Sequence, residues 1–429
     1  MKKLLASLLA AVMIVCFAAC TSAPAETDGK TDGETDAQLP AADNAQDSTD
    51  TETETNNAAL KVGVILVGDE NEGYTYAHIK GIQEAAKELG LTEDQIIWKY
   101  SIPEDATCTE TALDLADQGC NLIISNSYGH QPYMQEAAKE VPEAQFVAMT
   151  GDTAATSGLD NFSNAFTYVY ESRYVSGVVA GMKLAELVAE DKLSDANYDG
   201  ENIKIGYVGA YPYAEVVSGY TAFFLGIQSI VPNVTMEVTY TNSWFDITKE
   251  GAAAEALMAD GCVIIGQHAD STGAPSAVQA ALEKGTVAYS VGYNVDMLNV
   301  APQAALTSAT NNWEVFYKYA FSTALKGEKL VTDWAEGYTT GTVAITELGE
   351  SCAEGTAEKV AEVEAAIHDG SLHVFNTDTF TVGGEHIASY DQSYGFEGTE
   401  LIWDGYFHES ELRSAPAFDI RIDGIKELS

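Results

Sequence analysis

The segment from Lys61 opens with a nearly continuous apolar run, Val62, Val64, Ile65, Leu66 and Val67, closed by Gly68. A short run rich in β-branched residues, without polar alternation, predicts a strand buried on both faces of a parallel sheet. After a polar loop, Tyr76, Ile79, Ile82, Ala86 and Leu89 recur every three or four residues up to Gly90. That period predicts an amphipathic helix from Tyr76 onward, ended by the glycine. The alternation continues with strand-like runs at 96–100, 121–125 and 145–149, separated by helical patterns. Residues 164–187 pass from a strand-like start into a long helix whose Ser176, Gly177, Ala180 and Gly181 predict close approach of a neighbouring helix.

A second series of the same kind begins at Ile203, with strands predicted at 203–209, 235–240, 262–266 and 287–291 and helices between them. Further helical patterns cover 313–326 and 357–368, and the chain closes on the strand-like piece 401–408. Repeated strand–helix units imply parallel sheets, and 429 residues suffice for two domains of ordinary size. Two α/β lobes are expected, the first from 60–165 with 298–330, the second from 166–297 with 331–429, including a C-terminal extension.

Charge narrows the partners. Acidic residues outnumber basic ones 65 to 21, a formal charge of −44, which repels phosphate backbones and excludes nucleic-acid polymers. The N-terminus carries two lysines, an apolar stretch from Leu4 to Ala19 and small residues at its end, the pattern of an export signal. The stretch is shorter than the roughly 18–20 apolar residues of a membrane span. From 20 to 59 almost no large apolar residue occurs, so this part is expected to be a disordered acidic tether. Cys108, Cys120, Cys262 and Cys352 are widely spaced with no CxxC, which argues against zinc. Burial as small apolar residues suits Cys120 and Cys262, each after a glycine at a strand start.

Enzyme constellations are missing. The chain has no HExxH, GxSxG or GxGxxG, and His268, Asp270 and Ser271 are neighbours in sequence without any sign of triad geometry. No catalysis, cofactor or metal is expected. Instead, five loops that follow strands are rich in aromatic and short polar residues: Gly73-Tyr-Thr-Tyr-Ala-His78, Ser125-Asn-Ser-Tyr-Gly-His130, Asn242-Ser-Trp-Phe-Asp246, Gly266-Gln-His-Ala-Asp-Ser-Thr-Gly273 and Val291-Gly-Tyr-Asn-Val-Asp296. In open α/β sheets such loops gather at one end and hold ligand. Aromatic faces stack on a flat ring for about 1–3 kcal/mol per base, and Asn, Ser and Asp read its edges. Tyr74, Thr75, Tyr76, Asn126, Ser127, Tyr128, Trp244, Phe245, Asp270, Asn294 and Asp296 are therefore the expected ligand-binding residues. His78 and His130 read as hydrogen-bond formers rather than metal ligands, and Tyr207, Tyr220 and Tyr289 as core.

Four of these loops, those at 73–78, 242–246, 267–271 and 291–296, with Phe166-Thr-Tyr-Val-Tyr-Glu-Ser-Arg-Tyr-Val-Ser-Gly-Val-Val-Ala-Gly181 and Ile205-Gly-Tyr-Val-Gly-Ala-Tyr-Pro-Tyr-Ala-Glu-Val-Val-Ser-Gly219, resemble the basic membrane protein family over about Lys61 to Lys329. Members are lipid-anchored substrate-binding proteins of ABC transporters, related to purine nucleoside receptors. The resemblance implies a type I periplasmic-binding fold: two Rossmann-like lobes with parallel sheets, three crossovers and a cleft that holds ligand. It implies stacking rings at Tyr76 and Trp244, base-edge contacts at Asn126 and Ser127, and contacts to ribose or the far base edge from Asp270 and Asn294 with Asp296 behind. The nucleoside-binding branch carries paired Asp and a Lys near the first loop and an Asp where Asn294 stands, so a free purine base is as good an expectation as a nucleoside. Phe17-Ala-Ala-Cys20 resembles a lipobox, with Phe17 where Leu is usual, implying a lipid on Cys20. The expected protein is an extracytoplasmic, membrane-anchored monomer that delivers a purine base or nucleoside to an ABC permease. The alternatives are a surface lipoprotein for sensing or adhesion, or the same fold binding another small metabolite.

Overall fold

The first strand, β1 (Val62–Ile65), is buried along its whole length, as an apolar run without alternation requires when helices cover both faces of a sheet. The structure, a computed structural model, describes residues 60–391 and 398–428; the leader at 1–19, Cys20 and the tether at 20–59 lie outside the described residues. After β1 come β2 (Ile96–Lys99), β3 (Leu122–Ser125), β4 (Gln145–Met149) and β5 (Phe162–Thr167), then β6 (Tyr198–Asp199), β7 (Asn202–Gly209), β8 (Val234–Tyr240), β9 (Ile264–Gln267), β10 (Tyr289–Tyr293) and β11 (Ala305–Asn311). The remaining strands are β12 (Asp333–Glu336), β13 (Val343–Ile345), the hairpin pair β14 (Ile402–Trp403) and β15 (Tyr406–Phe407), and β16 (Ile425–Glu427).

Among the described residues these strands form two main sheets. The six-stranded first sheet runs β12-β5-β4-β3-β1-β2 and the second β13-β11-β10-β9-β7-β8-β16, with β6 beside β7. Every pair in the first sheet is parallel, while in the second β13 and β6 add antiparallel edges. The expected α/β fold of two parallel-sheet lobes is present.

The lobe boundaries differ from the sequence expectation. Residues 298–330 do not travel together: β11 pairs with β10 in the second sheet, whereas the helix Trp313–Leu325 packs on the helix Gly73–Glu88 of the first lobe. Nor does 331 open a purely second-lobe tail, because β12 joins β5. The physical reason is non-local: strand partnership is decided by register and edge availability, which a run of apolar residues does not encode. The chain thus passes between lobes after β5, after β11 and after β12, three crossovers among the described residues. They lie side by side, with Tyr168 N–H donating to Glu336 O at 2.8 Å and Asn312 N–H to Thr342 O at 2.7 Å.

The small residues of the helix Val169–Ala189 do what their spacing predicts. A Cβ at Gly177 would meet Phe223 O at 2.2 Å, and one at Gly226 would meet Tyr174 O at 2.2 Å. Two helices touch backbone to backbone at these glycines, and the pair centres the second-lobe core with Val178, Tyr220, Phe223 and Phe224. The C-terminal segment straps the lobes together: buried Glu409 accepts from Ser218 Oγ at 2.6 Å in the second lobe, and Ser414 donates from N and Oγ to Asp333 Oδ1 at 3.0 and 2.9 Å in the first. No described helix is long and apolar enough to cross a membrane.

Candidate functional site

A cavity of about 360 Å³ opens where the carboxyl ends of both sheets face each other. The first lobe contributes the loop after β1 with Gly68, Asp69, Asn71 and Glu72, then Tyr74, Ser101, Glu104, Ser127, Tyr128 and Thr150. The second contributes Glu215, Trp244, Phe245, Asp270 and Tyr293. All of these lie in segments that follow strands or at strand ends, which is where α/β sheets expose backbone N–H groups and helix starts to a ligand. Thr150 holds a left-handed backbone at φ 59°, a conformation that costs a β-branched residue about 1–2 kcal/mol. Its Oγ1 donates to Met149 O at 2.7 Å and its N–H to Ala165 O at 2.7 Å, which fix the turn at the cavity wall.

Of the residues expected from sequence, Tyr74, Ser127, Tyr128, Trp244, Phe245 and Asp270 line this cavity. Tyr76 does not. It is 41 % exposed and borders two outer hollows, one with Lys80, Asn294 and Asp296 and one with Phe245 and Asp270. The cause is an earlier helix start: Glu72 caps the helix Gly73–Glu88 by accepting from Thr75 N–H at 3.1 Å. At 100° per residue, a helix that turns Tyr74 into the cleft turns Tyr76 about 200° away. Tyr74, edge-on to His78 and Trp313, is the ring this helix offers, and its hydroxyl donates to Asn126 O.

Thr75, Asn126, Asn294 and Asp296 are also displaced from the expected roles. Buried Thr75 receives Asn126 Nδ2 at 3.1 Å, and Asn126 Oδ1 receives Val67 N–H at 2.8 Å, so both side chains brace the first-lobe loops. Asn294 lies behind the wall and donates to Asp270 Oδ1 at 2.6 Å, orienting a carboxylate that does face the cavity. Asp296 points to the outer hollow it shares with Lys80 and accepts Leu298 N–H at 2.8 Å. The two histidines make hydrogen bonds: His78 Nδ1 meets Tyr317 Oη at 2.6 Å while its ring stacks on Trp313, and His130 Nε2 meets Ile102 O at 2.9 Å. Burial pushes the His78 pKa down to about 3, keeping it neutral. Among the described residues no group of His, Cys, Asp and Glu could hold a metal ion, and Cys108, Cys120, Cys262 and Cys352 are all free.

Sequence reasoning missed Glu104, Thr150 and Glu215 as lining residues, while Glu72 and Tyr293 lie in or beside loops it had chosen without being singled out there. The loop Ala210-Tyr-Pro-Tyr-Ala-Glu215 follows strand β7 as the five chosen loops follow theirs, so that rule, applied evenly, would have found it. Tyr211 and Tyr213 stack at 5.1 Å, and Trp244 stands edge-on to Tyr211 at 5.2 Å. Tyr128 of the first lobe reaches Tyr213 of the second at 6.2 Å, so rings from both sides meet at the mouth. Burial pushes the Glu215 pKa up to about 7 against the pull of Arg173, and it raises Glu72. Asp270 is raised well above the usual carboxylate range by burial first, then by Glu72, Glu250 and Glu215. Arg173 is buried under the Tyr293 ring, 3.6 Å from its centroid, and donates to Gln267 O at 2.6 Å.

Two facing lobes, three adjoining crossovers and an aromatic, carboxylate-lined cavity between them define a bilobal solute-binding protein. The family model of ABC transporter substrate-binding proteins of the PnrA-like type matches residues 59–374. The chain belongs to that family, which binds substrates for transport rather than converting them. It is 32 % identical over 317 residues to a purine-binding protein of Brucella abortus, covering 74 % of this chain and 83 % of that one. A Haloferax volcanii protein, whose name gives it a proposed role as an ABC transporter glucose-binding protein, is 28 % identical over 76 % of this chain and 77 % of its own. An ABC transporter solute-binding protein of Aeropyrum pernix shares the fold at a TM-score of 0.60 and 19 % identity, over 76 % of this chain and 94 % of that one.

Proposed function

We infer that the cleft captures a purine base or nucleoside outside the membrane, closes on it by hinge motion and releases it to an ABC permease. The observation that carries this reading is the set of rings from both lobes around one cavity, Tyr74 and Tyr128 facing Trp244, Phe245 and Tyr293. Such walls suit a flat heterocycle, because each lobe supplies aromatic faces and closure brings them onto the ring. The 32 % identity to a purine-binding protein supports the same ligand class. The mature chain acts as a monomer exported by its leader and held at the outer face of the membrane through a lipid on Cys20.

Ligand binding to the folded state raises stability by about 2.7 kcal/mol at a hundredfold excess over Kd. The test is a thermal melt of the purified protein with adenine, guanine, hypoxanthine, their nucleosides and glucose. The expected outcome is a concentration-dependent rise in Tm with one or more purines. A rise with glucose and none with any purine would overturn the ligand class.

A further inference from the structure

The cavity wall holds five carboxylates, Asp69, Glu72, Glu104, Glu215 and Asp270, and no Lys, Arg or His. Most are steered by a donor on one oxygen. Glu104 Oε1 accepts Ser127 Oγ at 2.5 Å and Gly129 N–H at 3.0 Å, Glu215 Oε1 meets His268 Nε2 at 3.2 Å, and Asp69 Oδ1 accepts Asn71 N–H at 2.9 Å. Asp270, only 7 % exposed, accepts Asn294 Nδ2 on Oδ1, and its other oxygen has no partner among the described residues. Burial and the facing carboxylates make Asp270 hold its proton more readily than an ordinary carboxyl. The acceptors that call for a donor from whatever fills the cavity are therefore the second oxygens of Asp69 and Glu104, which line the same wall without a partner among the described residues.

The charges also come from opposite lobes. Glu72 belongs to the first lobe and Asp270 to the second, and Asp270 feels the repulsion of Glu72 across the cleft. The buried cation nearby, Arg173, sits behind the Tyr293 ring with Nε and Nη2 unpartnered, so it does not neutralise the wall by direct pairing. Bringing the lobes together over an empty or acceptor-rich ligand therefore opposes like charges. A ligand edge with adjacent N–H donors removes that opposition, since two parallel N–H groups fit one carboxylate bidentately.

We propose that the cleft selects a purine with a guanine-type edge, an exocyclic amino group beside a ring N–H, and rejects purines that carry negative charge. This rests on the purine reading and sharpens it. The experiment is calorimetric titration of the purified protein at pH 7.5 with guanosine, inosine and xanthosine. Inosine lacks only the amino group of guanosine, and xanthosine loses a ring proton near neutral pH. Guanosine should bind at least about tenfold more tightly than inosine, the size expected for one lost bond to a charged group, and xanthosine should give no saturable heat. Inosine binding as tightly as guanosine, or xanthosine binding comparably, overturns the donor-edge assignment and leaves the purine reading standing. Absence of binding by all three overturns the donor-edge assignment for nucleosides, and the purine reading falls with it if guanine, adenine and hypoxanthine titrated alongside are silent as well.

Discussion

Tyr74 and Tyr76 are two positions apart on one helix, yet only Tyr74 lines the cleft. Stacking on a base is worth about 1–3 kcal/mol, so Trp244→Ala should weaken purine affinity by roughly ten- to a hundredfold. Tyr76→Ala should leave it within about twofold, since that ring borders the outer hollows. Parallel calorimetric titrations of the two variants check both, and equal losses would contradict the assignment. The sequence showed which loops reach the site, because their aromatic content after strands is local information. It did not show which side chain of each loop faces inward. That was decided by the Glu72 cap, a carboxylate in a polar stretch whose neighbours offer no apolar period to mark a helix start.

At the scale of elements, the glycine pair between the helices Val169–Ala189 and Ala214–Gln228 gives a case where two effects oppose. Gly→Ala inside a helix ordinarily gains up to about 1 kcal/mol in propensity. Here the added methyl of Gly226→Ala would meet a backbone carbonyl at 2.2 Å, which no rotamer change relieves. Overpacking of this kind costs about 1–3 kcal/mol, so the variant should be destabilised despite its better propensity. Urea unfolding would read this as a lower midpoint at unchanged slope, and a raised midpoint would contradict the packing. This contact was legible as a cluster of small residues. The placement of β11 and β12 was not, since both are short runs whose partners lie more than a hundred residues away for β12 and in the preceding unit for β11.

The whole molecule carries a pH signature in its buried carboxyls. Burial pushes Glu171, Glu215 and Glu409 up to about 7, above the ordinary glutamate value of the unfolded chain. Folding holds these protons, so their contribution to stability is complete below the unfolded value near 4.3 and is lost as pH rises through about 7. Buried His78 and His268 act oppositely, losing stability as pH falls below the ordinary histidine value. Comparison with Glu171→Gln isolates one carboxyl, because glutamine can still accept the Tyr338 N–H that Glu171 holds at 2.7 Å. Between pH 5 and pH 8 the Tm of this variant should rise relative to the wild type, and a difference that does not change with pH would contradict a buried, protonated Glu171.

The lobes, crossovers and carboxyl-end loops combine into one claim, that a flat heterocycle is clamped between rings of opposite lobes. Mass spectrometry of small molecules released on denaturing protein purified without added ligand tests it most directly. Retention of a purine base or nucleoside by the wild type, and its loss from Trp244→Ala, is the expected result. Retention of a sugar, or equal retention of a purine by both proteins, would contradict it.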